Sequence, residues 1–457
     1  MPPSIELHDV QGNILHGYRL DHVAYLFLHA RTEPAARELL ARLAGRVTTA
    51  RRHPPGLVPP TALNVAVTFT GFRRLGLPSA ALDRFPAAFR QPTRERAERL
   101  GDTGESDPGN WDAGLGTGEA HLLLTLNADT EDRLRDERLR LLDLIGAVDG
   151  GVSVVHEQEA HALPAKREHF GYADGFSQPD IEGVERRTRM DDRGGGVPLD
   201  DGSGWRPLKA GEFLLGYPDE DGQQDDRPTA ALARNGTYMV YRKLRQDVAA
   251  FRQGLCEAAE RTGMPEELVA AKIVGRWRDG VPLRANPHRE VKDLRDVVAD
   301  VVSNDFRYLP HDAAGYECPI GAHIRRTNPR DGLRQGVLSA RHRLIRRGMP
   351  YGRELPEDTA WDPDDGDRGL VFVCFNADIE RQFETVQAAW CNDGDAFNLG
   401  ADRDYLLGDT NGTGKMTIPG SPPVFIEAQP DLVRTRGAEY LFVPGLTALS
   451  RLATGDF

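Results

Sequence analysis

The sequence predicts an α+β fold built by internal duplication, and three observations support this prediction. The chain has 457 residues, which is too long for one ordinary hydrophobic core. Residues 121–129 and 370–378 each form a short apolar run that ends in Asn-Ala-Asp and leads into a stretch with helical periodicity. Residues 23–28 and 236–241 form a second such pair in the same order. Two strand–helix units in each half therefore predict a duplicated domain.

Strands and helices alternate along both halves of the predicted fold. The predicted strands are residues 23–28, 64–69, 121–126, 152–156, 236–241, 370–375 and 439–444. The predicted helices are residues 34–44, 247–259 and 446–453, with a further helix directly after each Asn-Ala-Asp. Short apolar runs favour strands, apolar residues spaced by three and four favour helices, and Asn and Asp are good helix caps.

A stretch rich in Gly and Asp, residues 190–204, separates the two halves. Gly and Pro interrupt regular structure, so this stretch is interpreted as a linker or a long loop. It predicts one domain over residues 1–195 and a second domain over residues 205–457.

Composition narrows the class of protein. A net charge of −13 argues against a general nucleic-acid or anionic-membrane binder, because both need a basic face. The N-terminus lacks the basic segment followed by an apolar segment that is typical of a secretory signal peptide. No apolar run approaches the roughly 18 residues that span a bilayer. The scattered cysteines fit reduced thiols, so we expect a cytoplasmic protein. The cysteines are Cys256, Cys318, Cys374 and Cys391.

Three polar segments carry candidate chemistry. The first, GYADGFSQPDIEG at residues 171–183, places Asp174 between two glycines, which by itself is typical of a turn. The second, at residues 317–330, places His323 beside Arg325, Arg326 and Arg330, although a lone histidine is more often structural. Arginine clusters usually face carboxylates or phosphates, because guanidinium groups bind them bidentately.

The third segment, HRLIRRGMPYG at residues 342–352, carries Arg346 behind an apolar Leu-Ile pair. An ion pair between domains is the structural alternative for this arginine. One histidine, one carboxylate on a glycine turn and several arginines are the groups that a haem peroxide site needs. Cys318 offers a thiolate as an alternative ligand, although a buried cysteine beside proline is more simply a packing residue.

These segments resemble the dye-decolourising peroxidase family, in the larger, late-diverging subgroup. GYADGFSQP resembles the GxxDG signature of that family, AHIRRTNPR its proximal-histidine segment, and LIRRGMPYG its distal-arginine segment. The ends of the chain, DVQGNIL and EYLFVPG, are similar to family ends as well, so the likeness covers nearly the whole chain.

The resemblance implies two ferredoxin-like α+β domains, with haem b held mainly by the C-terminal domain. It also implies a peroxidase that reduces hydrogen peroxide and oxidises dyes, phenols or other aromatic donors in one-electron steps. The alternatives are a haem-binding, transport or iron-release protein without turnover, and a related haem enzyme that acts on chlorite or performs oxygenation. A homo-oligomer is possible.

The resemblance assigns roles by motif position. His323 would be the proximal iron ligand and Asp174 the distal acid–base residue. Arg346 would be the distal arginine, with Arg347 as the alternative if the register slips by one. Arg330, or else Arg325, would meet a haem propionate.

A ligating histidine usually donates its other N–H to a carboxylate or carbonyl, which raises its basicity as a ligand. Glu384 is the predicted partner of His323, with Asp393 or Asp395 as alternatives. Trp390 and Tyr351 lie near the motif segments, but aromatic residues there are more often part of the core.

Overall fold

The computed structural model describes most of the chain. The described residues are 4–51, 58–149, 151–184, 194–199, 201, 203–288, 304–309, 311–333, 339–356, 366–410, 412–427 and 429–457. The predicted linker at residues 190–204 lies partly outside them, at 190–193, 200 and 202. The domain boundaries at 195 and 205 stay a prediction.

Strands from both halves join one antiparallel sheet. The strands are, in chain order, β1 His22–Ala30, β2 Thr61–Val67, β3 Leu122–Ala128, β4 Val152–His161, β5 Val197–Pro198, β6 Trp205–Arg206, β7 Thr237–Gln246, β8 Ile345–Arg346, β9 Met349–Tyr351, β10 Gly369–Asn376, β11 Lys415–Ile418, β12 Val424–Glu427 and β13 Val433–Val443. Among the described residues, nine strands form the main sheet in the order β4-β1-β3-β2-β13-β7-β10-β8, with β9 also paired to β10.

The two halves of this sheet repeat one topology. The spatial order in the first half is β4-β1-β3-β2, that is, its fourth, first, third and second strands. With the short β9 set aside, the second half has the same order, as β13-β7-β10-β8. This is the strand order of a ferredoxin-like unit, and it confirms the duplicated α+β prediction. The halves meet where β2 pairs with β13, at Val67 and Phe442.

Helices follow the first and third strand of each half, as the repeats predict. The α-helices are Gly12–Leu15, Glu33–Ala44, Phe69–Arg74, Ser79–Leu82, Ala87–Arg90, Ala97–Leu100, Glu131–Gly146, Ala230–Ala233, Val248–Thr262, Glu266–Val274, His323–Thr327 and Leu446–Thr454. The helix after the second Asn-Ala-Asp, Glu380–Cys391, is a π-helix. Asp378 caps it through Arg381 N–H, whereas Thr130 caps the helix after the first repeat.

One face of the sheet carries the main core. In the first half, side chains from β1 and β3 such as Leu26 and Leu124 are fully buried against the helices Glu33–Ala44 and Glu131–Gly146. In the second half, the same face of β7 begins with buried Val240 and continues into polar positions. Within the described residues, no helix has both the length and the apolarity to cross a membrane.

Candidate active site

A cavity of about 290 Å³ opens on the second half of the sheet, on the same face as the core of the first half. Its floor is formed by β7, β10 and β13, and its walls come from the helix His323–Thr327, the π-helix and the turn at residues 171–177. The residues of the three sequence segments that line it are Tyr172, Ala173, Asp174, Phe176, Ser177, His323, Ile324, Thr327, Asn328, Arg330, Arg343, Leu344 and Arg346. The fold therefore brings the three predicted segments to one cavity.

His323 begins its short helix and is held from behind by a carboxylate. Its Nδ1 lies 2.9 Å from Oδ2 of Asp404, whose side chain is completely buried. The other oxygen of Asp404 accepts the backbone N–H groups of Leu406 and Leu407, each at 2.9 Å. A quarter of the His323 side chain stays exposed, and His323 lines the cavity. With Nδ1 engaged by Asp404, Nε2 is the ring nitrogen left to bind a ligand there.

Electrostatics reinforce this pair. Burial opposes charge on both groups, but their mutual attraction and hydrogen bond outweigh it, so the pKa of His323 is raised and the pKa of Asp404 is lowered. The buried guanidinium of Arg326 also lowers the pKa of Asp404. The carboxylate therefore stays ionised and orients the imidazole.

The predicted partner of His323 was wrong. Glu384 is almost fully buried elsewhere, where it accepts from Arg96 at 2.6 and 2.5 Å and from Tyr440 at 3.0 Å. The alternatives, Asp393 and Asp395, are not the partner either, because Nδ1 of His323 is bonded to Asp404. Asp404 was missed because it lies beyond the π-helix, at a distance in sequence that no motif sets. Its apolar neighbours, Tyr405 to Leu407, were the one signal of burial.

Asp174 also lines the cavity, on a turn that needs its glycines. Gly171 and Gly175 both have φ of +94°, a left-handed conformation that favours glycine. The side chain of Asp174 is 49% exposed and its Oδ1 accepts the N–H of Gly175 at 2.6 Å. The carboxylate of Glu168 stabilises the start of the turn, because it accepts hydrogen bonds from the backbone N–H groups of Phe170 and Tyr172, each at 2.9 Å.

Arg346 approaches Asp174 from β8. Its Nη1 lies 3.8 Å from Oδ1 of Asp174, and its Nη2 donates to the carbonyl of Phe176 at 2.6 Å. Arg347 points to the other side of the strand and donates to the carbonyls of Asn13 and Ile14, each at 3.1 Å. Arg346 is therefore the arginine of the pair that lines the cavity, as predicted.

A second arginine, Arg276, joins Arg330 at one end of the cavity. Arg330 donates to the carbonyls of Asn304 and Phe306, and Arg276 donates to the Asn304 side chain and the Gly280 carbonyl. No carboxylate is among their hydrogen-bond partners within the described residues. Burial lowers the pKa of each to about 10, and the charge of Arg330 adds to the effect on Arg276. This end is thus prepared for an anion. Arg276 could not be identified from the sequence, because no motif marks its segment, GRWRDG.

Arg325 and Cys318 do not line the cavity. Arg325 donates to Asp312 at 3.1 Å and to the carbonyl of Cys318 at 2.7 Å, and it stacks on Tyr308. The alternative prediction, that Arg325 meets a propionate, is therefore wrong, because its guanidinium is bonded outside the cavity. Burial raises the pKa of the Cys318 thiol to about 12, which disfavours a thiolate ligand.

The residues present fit a haem. The cavity offers an imidazole with a carboxylate behind it, apolar walls from side chains such as Phe372 and Phe383, and an arginine end without carboxylate partners. The buried hydroxyl of Tyr308, at that end, has no hydrogen-bond partner within the described residues. A flat apolar macrocycle with carboxylates on one edge would use each of these groups.

Comparison with known proteins gives the same family. A family profile described as "Dyp-type peroxidase, C-terminal" matches residues 223–400. The chain is 30% identical to Peroxidase 2 of Mycetinis scorodonius, over 97% of this chain and 87% of that protein. It is also 30% identical to the multifunctional dye peroxidase of Amycolatopsis sp., over 98% and 96% of the two chains.

A solved structure shows the same fold over almost the full length. It is a dye-decolorizing peroxidase in complex with 2,6-dimethoxyphenol, with a TM-score of 0.81, 25% identity, and coverage of 98% of this chain and 100% of that chain. Of the functions that the sequence left open, these relatives support the peroxidase. Because similarity extends over nearly the whole length of both chains, this protein is a member of the DyP-type peroxidase family of haem enzymes.

Proposed function

We propose that this peroxidase binds haem b in the cavity, with His323 as the residue that would ligate the iron, and uses hydrogen peroxide to oxidise dyes and phenols. The observation that supports the proposal is that two pairs of polar side chains share one cavity. His323 is backed by Asp404, and Asp174 is paired with Arg346. The bound haem would supply the iron that activates peroxide and stores its oxidising equivalents.

The chain would hold this group by contacts of three kinds. Nε2 of His323 would bind the iron, while Asp404, which is hydrogen-bonded to Nδ1, would raise the donor strength of the imidazole. Arg276 and Arg330 provide charge for the two propionates. Phe372, Phe383 and their apolar neighbours exclude water from the macrocycle.

Asp174 performs the proton transfer in this proposal. Its carboxylate accepts a proton from one oxygen of hydrogen peroxide and returns it to the other oxygen, which leaves as water. The half-exposed carboxylate borders the cavity, where it accepts the Gly175 N–H and pairs with Arg346. Arg346 stabilises the negative charge that develops on peroxide, and its bond to the Phe176 carbonyl fixes the guanidinium.

Dyes and phenols are proposed as electron donors because curated relatives are named dye peroxidases. A structural relative was also solved with a dimethoxyphenol.

One spectroscopic experiment with a kinetic continuation tests the proposal. The haem-loaded protein should show a Soret band that changes on addition of one equivalent of hydrogen peroxide and returns when a phenol or dye is added. Steady-state dye oxidation should require both haem and peroxide. A haem-loaded protein whose Soret band does not respond to peroxide, and which does not oxidise dyes or phenols, would falsify it.

A further inference from the structure

A polar cluster occupies a second end of the cavity, away from Arg276 and Arg330. Arg242 on β7 and Thr435 on β13 project from the sheet floor, and Asp102 reaches the same point from the first half of the chain. Nη2 of Arg242 donates to Oδ1 of Asp102 and to the Thr435 hydroxyl, which itself donates to Oδ1 of Asp102 at 2.7 Å. We call these three residues the Arg242 cluster.

The Arg242 cluster is buried yet incompletely hydrogen-bonded. Arg242 and Asp102 are only 3% and 4% exposed. Within the described residues, Nε and Nη1 of Arg242 and Oδ2 of Asp102 have no hydrogen-bond partner. Buried polar groups in folded proteins are nearly always paired, so two donors and one acceptor lining one cavity indicate a missing polar group.

Haem does not supply that group. A porphyrin carries its two propionates on one edge, and the end with Arg276 and Arg330, which have no carboxylate among their hydrogen-bond partners in the described residues, already offers positive charge for them. Arg242 is contacted by Asp102, by Thr435 on β13 and by Phe383 on the π-helix, whereas Arg276 is contacted by Phe176, Gly280 and Asn304. The two ends share no partner, so the apolar edge of the macrocycle would face the Arg242 cluster.

The shape and chemistry of this end favour an aromatic hydroxyl compound. The walls beside the cluster include Leu244, Phe372, Phe383 and Val433, and the Phe383 ring lies 5.8 Å from the guanidinium of Arg242. A carboxylate ligand would be repelled by Asp102. A phenolic hydroxyl both accepts and donates, so it matches the free N–H groups of Arg242 and the free oxygen of Asp102 at once.

We propose that the Arg242 cluster is a binding subsite for a phenol beside the haem edge. The ring packs against Phe372 and Phe383, the hydroxyl donates to Oδ2 of Asp102, and Arg242 donates to the phenolic oxygen. The half-buried Gly101, Gln387 and Asp409 line the same end, which gives it an approach along the seam between the halves. The subsite rests on the proposed haem peroxidase, because it places a reductant within the same cavity.

Binding to the haem-loaded resting enzyme, without peroxide, tests the subsite. Calorimetric titration with 2-methoxyphenol should show binding that survives saturation with imidazole, whose spectral shift reports occupation of the face toward Asp174. 1,2-Dimethoxybenzene, which lacks the hydroxyl donor, should bind at least about tenfold more weakly. Displacement of 2-methoxyphenol by imidazole would overturn the proposal. Equal binding of the two compounds would overturn it too, and is the result expected if only water fills the cluster.

Two matched variants locate the effect. Asp102→Asn keeps an oxygen for Arg242 but replaces the free acceptor, so the affinity for 2-methoxyphenol should fall at least about tenfold. Glu384→Gln changes an equally buried carboxylate outside the cavity and should leave the affinity unchanged. An unchanged affinity in Asp102→Asn would contradict the subsite, while an intact Soret band and peroxide response would leave the proposed function standing. If Asp102→Asn does not fold, the two titrations of the unaltered enzyme decide the question alone.

Discussion

The two halves of the sheet share a strand order but use the same face differently. In the first half, Leu26 and Leu124 fill the space between strands and helices completely. On the same face of the second half, the paired residues Arg242 and Phe372 border a cavity of about 290 Å³. The first half of the duplicated fold is therefore filled by side chains, and we call it the packed half. The second half contains the cavity, and we call it the hollow half.

In the hollow half, the walls of the cavity come from segments outside the shared strands. The segment that carries His323 lies between the helix Glu266–Val274 and β8, whereas the described residues between the helix Glu33–Ala44 and β2 in the first half contain no helix. The turn with Asp174 follows the last strand of the first half and also lines the cavity. The packed half thus contributes a filled hydrophobic core, and the hollow half contributes side chains that border an open cavity.

The largest effect in the hollow half should come from Asp174. Asp174→Asn keeps the size of the side chain but cannot take a proton, so the rate of reaction with peroxide should fall about 10²- to 10⁴-fold. Stopped-flow absorbance of the haem-loaded variant measures this rate. A variant with the wild-type rate would remove Asp174 from proton transfer.

Arg346 should have the next largest effect. Arg346→Leu removes the cation beside Asp174, and the rate with peroxide should fall about 10²- to 10³-fold, as for the loss of one donor to a developing charge. Arg347→Leu is the matched control, because its guanidinium faces away from the cavity. Equal losses in the two variants would indicate a structural role instead.

The partner of His323 should have a smaller effect. Asp404→Asn leaves a neutral group behind the imidazole, which should raise the reduction potential of the bound haem and lower haem affinity or activity about 10- to 100-fold. Glu384→Gln, the partner that the sequence suggested, should leave the potential unchanged. Spectroelectrochemical titration of both variants measures this. An unchanged potential in Asp404→Asn would separate Asp404 from the iron ligand.

The smallest effect on turnover should come from the packed half, where stability changes instead. Leu124→Ala should lower the free energy of unfolding by about 2–5 kcal/mol, because it leaves a cavity in a filled core. Leu370→Ala borders space that is already open and should cost the haem-free protein less. Urea unfolding of the haem-free variants compares them. Similar losses would show that the second half is packed as tightly as the first.

Much of the fold could be predicted because it repeats. The strands at 121–126 and 370–375 and the helices that follow them were visible as apolar runs and periodic stretches. The joining of both halves into one sheet was not visible, since it depends on the pairing of Val67 with Phe442 between segments far apart in sequence. The π-helical form of Glu380–Cys391 was not visible either, because it keeps an ordinary helical pattern.

The site was predictable where motifs mark it and not where the fold assembles it. Asp174, His323 and Arg346 lie in recognisable segments, and the cavity brings them together. Asp404 and Arg276 have no such mark, since their positions follow from how loops return to the cavity. Arg242 is not marked either, because Lys243 and Arg245 follow it in the same strand and nothing in the sequence distinguishes the three.

The central claim is that the hollow half binds haem through His323, and a haemin titration tests it most directly. The wild-type protein should reach a saturated Soret spectrum at one equivalent. His323→Gly should lose the axial-ligand features of that spectrum and recover them when imidazole is added, while His22→Ala, which changes a histidine far from the cavity segments, should match the wild type. If His323→Gly gives the wild-type spectrum without imidazole, His323 is not the iron ligand.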